Sequence, residues 1–156
     1  MNMDSIKELL TNFDLGNFLP KIDTIMGWVT LLLRLAVMAG PVIILVLGLI
    51  LIIAPPKEAN YRFGYRCFFG MGSVEAWLHT QKIAGIIYGG LGIVLGIIMG
   101  IVCIGLKNKE LIDAFTSAIT WLIVQVGIVL LVYFGLWLYT AIVFDRHGNR
   151  RKDKKK

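Results

Sequence analysis

Three long stretches of the sequence contain no charged residue, and they constrain the fold more than any other feature. They cover residues 35–54, 83–106 and 114–144, which are 20, 24 and 31 residues long. As helices rising about 1.5 Å per residue, each can cross a hydrocarbon layer of roughly 30 Å. A soluble domain of 156 residues could not bury this much apolar surface, since 57% of the residues are hydrophobic and 17% are charged. The sequence therefore predicts an all-α integral membrane protein with three transmembrane helices. We place these spans at about residues 25–54, 81–106 and 112–144.

Basic residues predict the orientation of the chain in the membrane. Residues 145–156 contain seven Lys and Arg against two acidic residues, whereas residues 1–23 contain two Lys against four acidic residues. Because Lys and Arg are retained on the cytoplasmic side, we expect the tail and the loop 55–80 in the cytoplasm and the N-terminus outside. The basic tail after His147-Gly148-Asn149 is expected to be disordered and to touch anionic lipid headgroups. Nothing aromatic or folded accompanies it in the sequence, so direct nucleic-acid binding is not expected.

The first 22 residues predict a short amphipathic helix ahead of the membrane domain, which covers residues 23–144. A capping box begins at Ser5, and apolar residues follow it at helical spacing. We expect Gly16 and Pro20 to end this helix, and Asp23 or Thr24 to cap the first span. Such a helix either anchors the terminus at the membrane surface or binds a partner.

Few polar residues interrupt the spans. Arg34 is the one cation inside an apolar run, and it either snorkels to the headgroups or forms a buried functional pair. Gln125 is the strongly polar residue of the third span, and it predicts an interhelical hydrogen bond.

Five glycines recur along the second span at intervals of three or four residues. Such spacing keeps them within about 80° of one another around a helix, where they form a groove that admits another helix closely. The groove serves either packing within the chain or a homodimer contact. The five are Gly85, Gly89, Gly92, Gly96 and Gly100.

The loop between the first two spans carries the residues that suggest a specific function. In chain order they are Asn60, Gly64, Tyr65, Arg66, Ser73, Glu75 and Trp77, with Gly85 following in the next span. In order and spacing these residues resemble the SdpI family of bacterial membrane proteins. The resemblance extends from Gly48 through the second span. Family members often have Thr where this chain has Cys67, and Asn or His where it has Gln81.

The resemblance implies an immunity or signalling protein of the bacterial cytoplasmic (inner) membrane. The founding member of the family protects its producer from a secreted toxic peptide and takes part in signalling, although it carries additional N-terminal spans. The implied partners are therefore a membrane-active peptide toxin, a cytoplasmic regulator and, through the glycine groove, a second copy of the chain.

The loop residues also predict local structure without the family. Ser73 is placed to cap a helix whose first turn contains Glu75, and a carboxylate there is favoured by the helix dipole. We expect Arg66 to pair with Glu75, and Trp77 to lie at the headgroup level. Gly64 indicates a turn that needs positive φ or a close backbone approach. The loop either staples two spans together or presents a recognition surface, and both roles can hold at once.

Catalysis is not expected, and neither a cofactor nor a metal site is predicted. The two histidines are His79 and His147, and they belong to no motif of a nucleophilic or zinc enzyme. His79 lies one helical turn after Glu75, which predicts a hydrogen-bonded pair rather than a metal site. An alternative function is a small oligomeric channel or transporter subunit, or an accessory subunit of a larger membrane complex.

Overall fold

The computed structural model describes residues 15–59 and 63–151, and side chains from Thr24 onward. These residues form three long helices, which are α1 (Leu15–Ile53), α2 (Val74–Leu106) and α3 (Leu111–Val143). Each is long and apolar enough to cross a membrane. The prediction of an all-α protein with three membrane-spanning helices is confirmed.

The start of α1 differs from the prediction. The helix is continuous from Leu15, so Gly16 and Pro20 do not end a separate helix, and neither Asp23 nor Thr24 caps the span. Pro20 lacks a backbone N–H and crowds the preceding turn, but the helix continues through it. The part of the amphipathic helix predicted from Ser5 to residue 14 lies outside the described residues.

Helices α1 and α2 form the most extensive helix contact, and they run antiparallel. Their backbones come close where Gly48 faces Gly89, since a Cβ added to Gly48 would collide with the backbone of Gly89. A Cβ on Gly92 would lie 2.6 Å from the Cα of Leu45, and Gly85 lies in the same seam. These small residues allow the close approach that drives helix association in lipid.

The last two glycines of the predicted groove have looser surroundings. A Cβ on Gly96 would have its nearest neighbour, Pro41, at 4.0 Å, and a Cβ on Gly100 would meet nothing within 4 Å. Packing within the chain therefore occupies the groove at Gly85, Gly89 and Gly92.

Contacts that hold helix α3 include a buried hydrogen bond to α1 and two apolar clusters. Gln125 Nε2 donates to the backbone oxygen of Val37 at 3.1 Å, which is the interhelical bond expected of Gln125. The two clusters lie at opposite ends of the bundle. One contains Val37, Met99, Cys103, Leu106, Ala114 and Ala118. The other contains Leu51, Tyr65, Cys67, Ala84 and Leu136.

Arg34 is half-buried in α1. Its backbone oxygen accepts a hydrogen bond from Cys103 Sγ at 3.5 Å. Its Nε is buried and has no hydrogen-bond partner within the described part of the chain. Arg34 therefore forms no ion pair among the described residues, and snorkelling to the headgroups stays a prediction.

The helix seam predicts different costs for two substitutions of the same kind. Gly92→Ala places a methyl group against the backbone of Leu45, so we expect it to lower the free energy of unfolding by about 1–3 kcal/mol. Gly100→Ala meets open space, so we expect a change within about 1 kcal/mol. Denaturant unfolding of the purified protein in mild detergent, followed by tryptophan fluorescence, measures both. Equal effects of the two substitutions would contradict the seam.

Candidate functional site

The loop that follows α1 and the segment that follows α3 meet at one end of the bundle, which we call the loop end. At this end α1 ends at Ile53, α2 begins at Val74 and α3 ends at Val143. The loop folds back against the helices and buries several side chains between them.

Gln81 holds the loop to α2 through its side-chain amide. The amide is fully buried; its Oε1 accepts from the backbone N–H of Tyr65 at 2.8 Å, and its Nε2 donates to the backbone oxygen of Tyr65 at 2.7 Å. Gly64 precedes this contact with φ +116°, and a Cβ there would lie 2.8 Å from Gln81 Oε1. Gly64 therefore has both the positive φ and the close approach that the sequence indicates.

The side chain of Tyr65 joins the loop to α3. Its hydroxyl donates to the backbone oxygen of Tyr133 at 2.8 Å, and the hydroxyl of Tyr133 donates to the backbone oxygen of Arg66 at 3.3 Å. The rings of Tyr65 and Tyr133 pack edge to face with their centroids 5.2 Å apart. Burial raises the pKa of the Tyr65 phenol well above its ordinary value, so the hydroxyl remains a donor at physiological pH.

Trp77 is enclosed by the protein. Its side chain is fully buried, and its Nε1 donates to the backbone oxygen of Pro56 at 2.7 Å. The indole is therefore satisfied inside the fold, because the loop returns over the first turn of α2 and supplies a carbonyl partner. The level of Trp77 relative to the lipid headgroups stays a prediction.

Ser73 makes two hydrogen bonds that join α2 to the C-terminal segment. Its Oγ accepts from the backbone N–H of Ala76 at 3.1 Å, which is the predicted N-cap. The same hydroxyl donates to the backbone oxygen of Gly148 at 2.8 Å. Gly148 has φ +75°, and a Cβ on Gly72 would lie 2.6 Å from its nitrogen. The two backbones are thus in direct contact.

Residues 145–151 form a folded structure, which we call the C-terminal turn. Asp145 Oδ1 accepts from the backbone N–H groups of His147 and Asn149 at 3.0 and 2.9 Å. Phe144 and Arg150 pair as an isolated antiparallel bridge beside it. The prediction of a disordered tail after Asn149 is wrong for Arg150 and Arg151, and residues 152–156 lie outside the described part of the chain.

Glu75 forms its ion pair with the C-terminal turn. Arg150 Nε lies 3.0 Å from Glu75 Oε1, so Arg150, and not the predicted Arg66, is the counter-charge. The two side chains are 44% and 68% exposed, so the pair contributes only about 0–1 kcal/mol to stability. His79 lies 3.2 Å from the hydroxyl of Tyr139 and stacks on its ring, which replaces the hydrogen bond expected with Glu75.

Cys67 is a buried thiol at the centre of the loop. Its Sγ accepts from the backbone N–H of Gly70 at 3.3 Å. Desolvation raises the pKa of the thiol, and the opposing hydrogen bonds from Gly70 and Thr140 do not offset it. A buried thiol with a raised pKa is a poor nucleophile, so the sulfur serves as a hydrogen-bond acceptor that holds the loop.

The structure divides the predicted motif into two groups. Gly64, Tyr65, Ser73 and Trp77 make contacts that build the loop end, whereas Arg66 and Glu75 are exposed. Asn60 lies outside the described residues, so its role stays a prediction.

Sequence reasoning missed three contributors to this end of the bundle. Gln81 appears in the sequence only as a departure from the family pattern, and Tyr133 only as an aromatic residue of a span. The C-terminal turn does have a local signal, because Asp at the first position and Gly at the fourth, as in Asp145 and Gly148, are typical of a tight turn.

The loop end shows no arrangement for holding a metal ion. Among the residues that the structure describes, no group of three or more His, Cys, Asp or Glu side chains could bind one. The predicted lack of a metal or cofactor in the whole chain stays a prediction.

Comparison with known proteins identifies a family. The model described as the SdpI/YfhL protein family matches residues 57–139, which is more than half of the chain. The match includes most of the loop, all of α2 and most of α3. It therefore extends beyond the second span, where the resemblance in the sequence ends. No curated protein and no solved structure matches the chain.

The contact between Gln81 and Tyr65 predicts the cost of removing the amide. Gln81→Leu keeps the volume but leaves the buried N–H and C=O of Tyr65 without partners, so we expect a loss of about 1–3 kcal/mol for each group. Lys82→Leu, at the exposed neighbouring position, is the control and should change stability by less than about 0.5 kcal/mol. Unfolding in mild detergent measures both variants. A Gln81→Leu protein as stable as the control would show that the amide does not hold the loop.

Proposed function

Since the chain belongs to the SdpI/YfhL protein family, we propose that this multi-pass membrane protein is an immunity or signalling component of the bacterial cytoplasmic membrane. In this role it protects the cell from a membrane-active peptide toxin, holds a cytoplasmic regulator at the membrane, or does both. Family likeness supports the role, and exposed surfaces of the structure are proposed to carry it.

The proposed orientation places the loop end in the cytoplasm. Contacts of Ser73 with Gly148 and of Glu75 with Arg150 require the loop and the C-terminal turn to lie on one side of the membrane. Seven Lys and Arg in residues 145–156 favour the cytoplasm for that side. With three spans, the N-terminus is then outside.

One observation carries the proposal: the family's loop is folded as part of the membrane domain and contacts the C-terminal turn. We propose that exposed side chains of these two segments form a composite surface, which includes Arg66, Phe68, Glu75, Arg146 and Arg150. Phe68 is 66% exposed and packs edge to face on Phe69. Exposed aromatic and Arg side chains are enriched at protein interfaces, so the surface suits a soluble regulator.

The spans offer a second surface, which suits an apolar peptide. In the most apolar window of α3 only 11% of the residues are buried inside the protein, compared with 33% for α2. Helix α3 therefore presents most of its apolar surface to lipid. We propose that a membrane-active toxin is bound or excluded along α3, and that the loop end reports this state to the regulator because Tyr65 and Tyr133 join α3 to the loop.

The division of the motif predicts two classes of variant. Arg66→Ala and Glu75→Ala alter exposed side chains, so we expect each to reduce survival in the presence of the toxin while the amount of protein in the membrane is unchanged. Trp77→Ala removes a fully buried indole, so we expect it to cost about 3–5 kcal/mol and to lower the protein level itself. Survival assays and quantitative immunoblots of membranes measure the two properties.

Glu58→Ala is the matched control, because Glu58 is an exposed acid of the same loop outside the motif. It should leave both survival and protein level unchanged. Full survival with Arg66→Ala and Glu75→Ala at normal protein level would overturn the assignment of these residues.

A further inference from the structure

An apolar cleft of about 470 Å³ opens at the loop end between α1 and α3. Its walls come from Ile44, Leu47 and Leu51 of α1 and from Val129 and Tyr133 of α3. From Ile44 to Leu51 the cleft follows α1 for about two turns, or roughly 10 Å into the membrane. A volume in this range is typical of pockets that hold small ligands.

The cleft is accessible from the bilayer and from the membrane surface. Leu47 and Tyr133 are 39% and 38% exposed, so both walls can be reached from the side. At its surface end the cleft is bounded by the loop residues Phe63, Gly64, Tyr65 and Arg66. The wall at the back is Tyr88 of α2.

The cleft has a cation at one end and apolar walls along the rest, an arrangement that suits an anionic amphiphile. Among the ten described residues that line it, Arg66 is the one charged side chain, and it lies at the surface end. The deeper walls are aliphatic. A ligand that fits both ends therefore has an apolar chain and an anionic head at the level where the loop meets the membrane.

We propose that the cleft binds one anionic glycerophospholipid, with an acyl chain between α1 and α3 and the phosphate at the guanidinium of Arg66. An Arg guanidinium matches phosphate geometry, and cations at a membrane surface attract anionic lipid. The acyl chain fills a gap that the sparse contact between α1 and α3 leaves open. The proposal does not depend on the immunity or signalling role.

Native mass spectrometry of the full chain in mild detergent tests the headgroup. The probes are dioleoylphosphatidylglycerol and dioleoylphosphatidylcholine, which share acyl chains and differ in net charge. We expect one phosphatidylglycerol to bind with higher affinity than phosphatidylcholine, and Arg66→Gln to weaken its binding by about tenfold. Arg146→Gln, which removes an exposed cation of the C-terminal turn outside the cleft, should leave binding unchanged.

A second pair of variants tests the acyl chain. Val129→Trp fills the cleft, whereas Leu130→Trp places the same side chain at the adjacent position, which is 51% exposed. Binding of either lipid should fall for Val129→Trp and not for Leu130→Trp. Size-exclusion profiles establish that each variant is folded. If Val129→Trp is not folded, Leu47→Trp on the opposite wall of the cleft replaces it. The proposal is overturned if the unaltered protein binds the two lipids equally. It is also overturned if Arg66→Gln binds phosphatidylglycerol as well as Arg146→Gln does, because the bound lipid is then unspecific annular lipid.

Discussion

The buried amide of Gln81 is the contact on which the rest of the loop end depends. It satisfies both the N–H and the C=O of Tyr65, and a loop residue buried against a membrane helix has no water to replace these bonds. Because its backbone is fixed there, Tyr65 reaches α3 with its side chain. Gly64 has a positive φ, and its lack of a Cβ leaves room for the amide of Gln81. The amide of Gln81 thus fixes Tyr65 at a position where it contacts both α2 and α3.

The same constraint explains why the family motif mixes two kinds of residue. The inward-facing residues Gly64, Tyr65, Ser73 and Trp77 are needed for the loop to fold on the spans. Arg66 and Glu75 are exposed on the surface of the loop and of the start of α2. The ion pair of Glu75 with Arg150 extends that surface onto the C-terminal turn, with little contribution to stability. The inward residues of the motif therefore staple the loop to the spans, and the exposed residues are the ones for which we propose a recognition role.

Much of the fold follows from local sequence signals. Uncharged runs locate the spans. Ser73 caps α2, Gly64 has a positive φ and Gln125 forms an interhelical hydrogen bond, as the sequence predicts. These features depend mainly on the residue type and its immediate surroundings. The surroundings of Trp77 and the partner of Glu75 could not be predicted, since both are set by segments far away in the chain. Charge composition also outweighed the turn signal at Asp145 and Gly148, so Arg150 and Arg151 were expected to be disordered although they belong to the folded C-terminal turn.

The central claim is that the loop is a folded part of the membrane domain. Hydrogen–deuterium exchange of the unaltered protein tests it most directly at the amides of Tyr65, Gly70 and Met71, whose acceptors are Gln81 Oε1, Cys67 Sγ and the backbone oxygen of Cys67. The account predicts that the amide of Tyr65 exchanges as slowly as amides in the body of α2, and that those of Gly70 and Met71 are also protected. Exchange of all three at the rate of an unstructured peptide would contradict it.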